Sequence, residues 1–384
     1  MNATRTIGFP IMREESNERR VFLPDFVEKL TVMGFEVYLE IGYGTSIDLN
    51  FDDYKKDIPH IHVVERREAF QKDYVLILRS PHEQELEQLS KETCLISMLH
   101  YQTHPLRRTL MKKRKIQAIS LDSIVDDFNI RLVENMKAVA WNGLEAAFNE
   151  FEKKYHTLIK DDQTPWNIIV LGTGMVGKQA VDAATKFGRR DRNDKHMENN
   201  GPGALVVAAG RNITRNPAQM KSLLQTADIV VDATQRGDPS LPIIPNAWIQ
   251  YLPQHAIIVD LSVDPYTVDV QPPVVKGIEG IPQGNLDQYI FEIDDPNWDA
   301  TVPKKIPSVH RRKSTTCYSW PGIHPESCMR HYGQQLLPLM KVLQKKNYAD
   351  LTLEGSYFER ALYRARLDIF LKYFEERRSR KASI

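Results

Sequence analysis

Residues 167–178, Asn-Ile-Ile-Val-Leu-Gly-Thr-Gly-Met-Val-Gly-Lys, constrain the fold more than any other stretch of the chain. Ile168 to Leu171 read as a buried parallel strand. Gly172, Gly174 and Gly177 follow at G-x-G-x-x-G spacing, with Met175 and Val176 between the last two, and Gln179 to Lys186 reads as a helix. Strand, glycines and helix in this order form the context that a dinucleotide fingerprint requires. The first glycine permits the tight turn, the second lets the backbone approach a pyrophosphate, and the third lets helix and strand pack closely. The phosphates then sit on free N–H groups at the positive end of the helix dipole. The competing reading is a glycine-rich turn in an α/β fold that binds nothing.

Around this stretch the chain alternates short apolar runs with helical spacing. Thr6–Pro10, Gly34–Glu40, Tyr74–Leu78, Cys94–Leu99 and Ile116–Ser120 read as strands before it, with a helix over Asp25–Met33. Ala204–Ala209, Ala227–Asp232 and Ala256–Asp260 read as strands after it, apolar throughout as burial on both faces demands. The spacing predicts one long helix over Arg131–His156 that joins two domains. Further helices are expected over Cys328–Lys346 and Tyr357–Arg378, the last with a frayed basic tail. Gly188–Gly203 is polar and reads as an inserted surface loop, and residues 265–310 read as an irregular, proline-rich excursion. The fold class is α/β: two Rossmann-like domains with a cleft between them, the first discontinuous. Residues 1–140, completed by 316–384, form a substrate domain, and 141–315 form the dinucleotide-binding domain.

At 384 residues each domain can bury its own core. A net charge of +1 gives no global field for nucleic acid or an anionic membrane, and no run approaches the ~18 apolar residues of a membrane span. Three scattered cysteines, Cys94, Cys317 and Cys328, suit a reducing compartment, and the chain reads as cytoplasmic. The basic run from Arg107 to Lys115 reads as a solvated helix face, with an anion or partner site as the alternative. His324, Cys328 and His331 have helix-face spacing but no fourth ligand nearby, so they read as a packed helix terminus and no metal site is assigned. Ser314–Cys317 form no nucleophile elbow, and hydrolysis has no support.

Ligands of open α/β sheets sit beyond the carboxyl ends of strands, which draws attention to Arg79 and His100. The strand after the fingerprint helix ends without the acid that binds a ribose 2′-hydroxyl, and Arg211 and Asn212 follow instead. An arginine there can pair with a 2′-phosphate, which favours NADP over NAD.

The ordered set of segments resembles the alanine dehydrogenase/pyridine nucleotide transhydrogenase superfamily, which includes the lysine-forming saccharopine dehydrogenases. Gly8-Phe-Pro10 and the stretch from Glu14 through Glu18-Arg-Arg-Val-Phe-Leu-Pro24 are similar to its opening, and Phe35–Gly42 to its next strand. Leu78-Arg-Ser-Pro81 stands where the family has Leu/Val-Lys-Glu-Pro, and Leu99-His100 where it has a strand-terminal histidine. Val259-Asp-Leu-Ser-Val-Asp264 and Tyr318-Ser-Trp-Pro-Gly322 resemble segments near the nicotinamide.

The resemblance implies an NAD(P)-dependent amino-acid dehydrogenase moving hydride between an amino-acid α carbon and nicotinamide. It implies that Arg20 binds the substrate carboxylate, that Arg79 takes the place of a substrate-binding lysine, and that His100 is the acid/base. Asp264 would lie beside the nicotinamide and the reacting carbon. Arg79 cannot act as a base, but it suits a second carboxylate, as on a keto acid. Two alternatives stay open: a saccharopine-dehydrogenase-like reductase joining a keto acid to an amine, and a non-catalytic nucleotide-binding relative. The partner implied is a small amino acid or keto acid, and the resemblance leaves the assembly open between a monomer and a homo-oligomer such as a dimer or hexamer.

Overall fold

The computed structural model describes residues 4–13, 17–55, 58–102, 104–262, 264–269 and 273–382, with the backbone alone from 377 onward. Glu14 and Val263, which belong to the segments carrying the resemblance, lie outside the described residues, as do the side chains of the basic tail. The chain divides into two units, Met1–Asn135 with His324–Ile384, and Met136–Ile323.

In the first unit β1 (Arg5–Phe9), β2 (Phe35–Glu40), β3 (Ile61–Val64), β4 (Tyr74–Arg79), β5 (Cys94–Met98) and β6 (Gln117–Ser120) form a sheet of order β3-β2-β1-β4-β5-β6. Every pairing is parallel. Tyr74–Leu78 and Cys94–Ser97 are buried residue after residue, the pattern that helices on both faces of a parallel sheet impose. The chain builds outward from β1 to β3, then crosses to the other side of β1, so β1 and β4 flank a topological switch point.

The C-terminal segment completes this unit. Helix Pro325–Lys345 packs on helix Pro24–Val32, with Phe26 seated against Gly333. Arg5 Nε donates to the Gln344 carbonyl at 2.7 Å, and the Tyr74 hydroxyl to that of Leu343 at 3.0 Å. At the other edge, Ala365 accepts from the Ser120 N–H at 3.0 Å and Arg366 bridges Ile119. That bridge explains why Tyr357–Arg378 is two helices, Tyr357–Arg364 and Leu367–Ala382, and not one: residues 365–366 extend the sheet instead of the helix. The basic helix Pro105–Arg114 clamps the last of them. Lys112 pairs with Glu375, and the Arg108 guanidinium lies 4.3 Å from the Phe374 ring centre.

In the second unit β7 (Trp166–Leu171), β8 (Ala204–Ala209), β9 (Ile229–Asp232), β10 (Ile257–Asp260), β11 (Ile290–Phe291) and β12 (Ser314–Thr316) give the order β11-β12-β10-β9-β7-β8. Only β11 runs antiparallel among the described pairings. Both fold-class expectations, two parallel α/β sheets and a first unit completed from the C-terminus, hold.

Two local expectations do not. The long helix is Met136–Glu152, because residues 124–132 fold into a tight turn in which Asp126 and Ile130 pair and Asn129 takes φ +63°. The helix therefore starts with the second unit and lies wholly inside it.

The supposed loop 188–203 contains helix Arg190–Glu198. Its buried face is polar. Arg192 donates to the Phe187 carbonyl at 2.6 Å and pairs with Glu152 at 3.0 Å. His196 bonds the Thr157 carbonyl through Nδ1 at 3.0 Å and accepts from the Gly203 N–H through Nε2 at 2.9 Å. Polar anchoring leaves no apolar periodicity to read. Replacing His196 by Leu strands a buried N–H and a carbonyl and should cost on the order of 2 kcal/mol, measured as the shift in urea midpoint. A loss under about 0.5 kcal/mol would show the helix to be anchored elsewhere.

Candidate functional site

Parallel strands release their chain at one edge, and in the first unit that edge collects Arg79, His100 and Asp122 from the neighbouring strands β4, β5 and β6. Arg79 ends β4 beside a register shift against β5. His100 lies two residues past β5 with φ +48°, a left-handed backbone that costs energy in a residue with a Cβ. Asp122, in the turn after β6, holds it there. Its Oδ1 accepts the His100 N–H at 3.1 Å, and its Oδ2 lies 3.5 Å from His100 Nδ1. The Ser120 hydroxyl donates to the same Oδ1 at 2.6 Å and accepts the Leu99 N–H at 3.1 Å. Burial opposes ionisation of Asp122, but the hydrogen bond and charge of His100, then Ser120, outweigh it and hold the carboxyl well below its usual range. The imidazole is half-exposed while Asp122 is nearly covered, so the ring can meet a ligand with its carboxylate behind it.

Arg20 is buried, and Glu18 takes its Nε at 2.8 Å, its Nη2, and its own N–H at 2.9 Å. Burial pushes the Glu18 carboxyl up, but Arg20 and then Arg79 bring it below its ordinary value. Both arginines also act on the buried hydroxyl of Tyr332. Arg20 and Arg79 thus act electrostatically on the same carboxylate and the same hydroxyl. The histidine–cysteine helix face is structural: burial raises the Cys328 thiol to about 11, and His331 Nε2 bonds the Glu134 carbonyl at 2.9 Å. Among the described residues no cluster of three metal-type ligands occurs.

In the second unit the edge between β7 and β9 is the switch point. Gly172 has φ +96°, and a Cβ there would stand 2.6 Å from the Ala233 carbonyl oxygen. A Cβ on Gly177 would collide with the Gly172 carbonyl, so helix Met175–Ala184 can pack this close only through glycine. Gly174, its N-cap, offers no side-chain cap, and the space beside it is open. First-turn N–H groups facing open space, with Met175 half-exposed and Val176 partly buried beside them, fit a pyrophosphate. Strand β8 runs in full register with β7, and the Gly172 N–H bonds Ala209 at 2.9 Å. Exposed Arg211 and Asn212, which open the short helix Arg211–Thr214, are thereby brought to the same edge.

Strands β9 and β10 end alike. Asp232 and Asp260 are register partners. Asp232 Oδ1 accepts from the Thr234 N–H and hydroxyl at 3.0 and 2.6 Å, and Asp260 Oδ1 from those of Ser262 at 3.0 and 2.8 Å. Each aspartate forms the side-chain-to-backbone turn two residues on that this residue type favours. Their second oxygens differ. Lys276 Nζ binds Asp260 Oδ2 at 2.7 Å, whereas Asp232 Oδ2 is buried with no partner among the described residues. Asp264 pairs with Arg236 at 2.7 Å. Burial, then neighbouring Asp260, against the opposing hydrogen bonds of Thr234, raise the Asp232 carboxyl to about 6.

Sequence reasoning missed Asp122, Asp232, Arg236 and Lys276. The Asp-x-Thr/Ser pattern closing two strands was a readable signal for the turns, but the cation partners come from remote segments. Because Asp232 holds its proton more tightly when folded, it stabilises at low pH, and that contribution is lost as pH rises through about 4 to 6. Replacing Asp232 by Asn removes the buried charge. Relative to wild type, the variant should gain on the order of 1–3 kcal/mol in unfolding free energy between pH 4.5 and pH 8. An identical offset at both pH values would contradict the assignment.

The fold agrees with comparisons to known proteins. The alanine dehydrogenase/PNT N-terminal domain model matches residues 10–140, and the corresponding C-terminal domain model matches residues 147–266. The chain is 24% identical over 271 residues to alanine dehydrogenase of Staphylococcus epidermidis, covering 67% of this chain and 72% of that enzyme. It is 20% identical over 325 residues to alanine dehydrogenase 1 of Staphylococcus aureus, covering 73% and 85%. In fold it is similar to an L-alanine dehydrogenase (TM-score 0.70, 18% identity, 94% of each chain covered). It is also similar to a transhydrogenase from Sinorhizobium meliloti (TM-score 0.63, 16% identity, 93% and 97% covered). Two matched domain models spanning most of the chain place this protein in the alanine dehydrogenase/PNT family.

Proposed function

We propose that this chain is an NAD(P)-dependent amino-acid dehydrogenase. The observation that carries the reading is the strained His100, fixed by Asp122 at the strand edge that also bears Arg79. The alanine dehydrogenases among its relatives support the reaction class. The overall change is amino acid, oxidised coenzyme and water to 2-keto acid, ammonium, reduced coenzyme and a proton.

The backbone of Gly172–Gly177 would hold the pyrophosphate, with Met175 and Val176 in the first turn, and Arg211 and Asn212 would meet the adenosine ribose or its 2′-phosphate. When bound, the coenzyme supplies the hydride acceptor or donor. Arg20 and Arg79 would hold the substrate carboxylate, since a guanidinium fork matches a carboxylate in a bidentate pair. His100 takes the proton from the attacking water or the amine and returns it in the reverse direction. Asp122 fixes the ring and stabilises its cationic form. Asp264 would take a helping role beside the nicotinamide.

The second reading is a reductase that joins a keto acid to an amine. Arg79 favours it, because a guanidinium where relatives carry a lysine cannot be a base and suits a dicarboxylic substrate.

The test follows NADPH and NADH oxidation with pooled 2-keto acids and either ammonia or lysine, ornithine and similar amines. Turnover with ammonia is expected, and turnover only with a second amino acid moves the chain to the reductase reading. Coenzyme binding without turnover across a wide pool would sink both and favour a nucleotide-binding relative. In the active protein His100→Gln should lower kcat by roughly 10²- to 10⁴-fold and Asp122→Asn by about 10-fold or more, with unchanged coenzyme affinity. Arg211→Ala should raise the KM for NADPH about 10-fold and leave that for NADH nearly unmoved.

No helix among the described residues is long and apolar enough to cross a membrane. We propose a cytoplasmic enzyme that works without nucleic acid or membrane, as a homo-oligomer, with its domains divided near residues 140 and 315.

A further inference from the structure

Asp264, which the proposed function sets beside the nicotinamide, is served by two cations, one at its side chain and one at its backbone carbonyl. Its own side chain is 34% exposed, whereas that of Arg236 is 4% exposed and that of Lys276 is 2% exposed. Neither cation is placed to meet a ligand as its principal partner. Arg236 Nη2 donates to Asp264 Oδ2 at 2.7 Å and to the Val275 carbonyl, and its Nη1 donates to the carbonyls of Pro239 at 3.1 Å and Leu241 at 3.0 Å. Lys276, the residue after Val275, reaches the other end of the loop. Its Nζ donates to Asp260 Oδ2 at 2.7 Å and to the Asp264 backbone carbonyl at 3.1 Å. Two segments, 236–241 and 275–276, thus converge on one aspartate, one through its side chain and one through its main chain.

We infer that Arg236 and Lys276 are positioning residues that fix the Asp264 carboxylate for the dehydrogenase reaction, Arg236 by aiming the side chain and Lys276 by anchoring its backbone to the end of β10. This inference rests on the proposed function for the role of Asp264, but the geometry it asserts stands apart from turnover. The charge balance agrees. Asp232, Asp260 and Asp264 confront two cations, and the carboxyl with no cation of its own, Asp232, is also the one with an unpartnered oxygen. Gly277 packs against that oxygen so closely that a Cβ would collide with it, which ties the Lys276 segment to the end of β9 as well as β10. The arrangement buries both cations and leaves the acid a third exposed.

The full-length protein tests this with Arg236→Gln, Arg236→Lys and the paired Asp260→Asn/Lys276→Met, which removes both charges together and so leaves no lone buried ion. The first readout is the titration of Asp264, followed by NMR of carboxyl-¹³C-aspartate and assigned with Asp264→Asn. In Arg236→Gln the midpoint should rise by about one unit as the facing cation is lost, with Asp260 and Lys276 still in place, and Arg236→Lys should restore it. The second readout is kinetic: Arg236→Gln and the paired variant should lose about 10-fold or more in kcat, with the coenzyme dissociation constant within about twofold of wild type. An unmoved Asp264 midpoint in Arg236→Gln, or a wild-type kcat in the folded paired variant, overturns the inference while wild-type turnover leaves the proposed function standing. If wild type turns over nothing, the proposed function fails, and the Asp264 midpoint still decides whether Arg236 aims it.

Discussion

In a parallel sheet every strand leaves at the same edge, and a chain that crosses from one side of its first strand to the other must open a crevice there. Both units of this protein obey that constraint, and the residues on which the proposed function rests depend on it. In the first, β4, β5 and β6 deliver Arg79, His100 and Asp122 side by side. In the second, β7 and β8 deliver the glycine turn and Arg211, while β9 and β10 deliver the register-paired aspartates. The glycines show how tightly the edge is built: Gly172 fits only because nothing projects toward Ala233, and Gly177 only because nothing projects toward Gly172.

One strained residue and two buried ion pairs lie where the function is proposed. His100 takes a left-handed backbone that a non-glycine residue adopts at a cost, and the bond from its N–H to Asp122 offsets it. The Glu18–Arg20 and Asp260–Lys276 pairs are both buried. Such pairs contribute little net stability against apolar replacements, since desolvation opposes their attraction. Their worth lies in orientation. Glu18 fixes Arg20, and Lys276 fixes the loop bearing Asp264.

The sequence made the strands, the fingerprint and the two-domain α/β class legible because inner strands buried on both faces write themselves as unbroken apolar runs. Strand β8 has such a run yet ends its sheet half exposed, with Leu205 57% exposed, against the expectation of burial. It could not show relations that depend on register. Asp122 pairs with His100 because β5 and β6 align Ser97 with Ser120, and no local pattern announces that alignment. Arg236 and Lys276 meet Asp264 from two segments remote from each other in sequence, the first after β9 and the second inside the proline-rich excursion. Helix Arg190–Glu198 was illegible for a different reason: Arg192 and His196 anchor it by hydrogen bonds, so its buried face has no apolar signature. The break at 365–366 was equally hidden, since it answers to a bridge with Ile119 and not to glycine or proline.

The most direct test of the account follows the hydrogen itself. Wild-type protein is supplied with coenzyme deuterated at the transferable position of the nicotinamide, pooled 2-keto acids and ammonia or amines, and the products are read by mass spectrometry and NMR. The account predicts deuterium at the α carbon of an amino-acid product, with transfer largely abolished by substitution of His100. Coenzyme that binds at the glycine turn yet never passes its deuterium to any amino-acid carbon would contradict it.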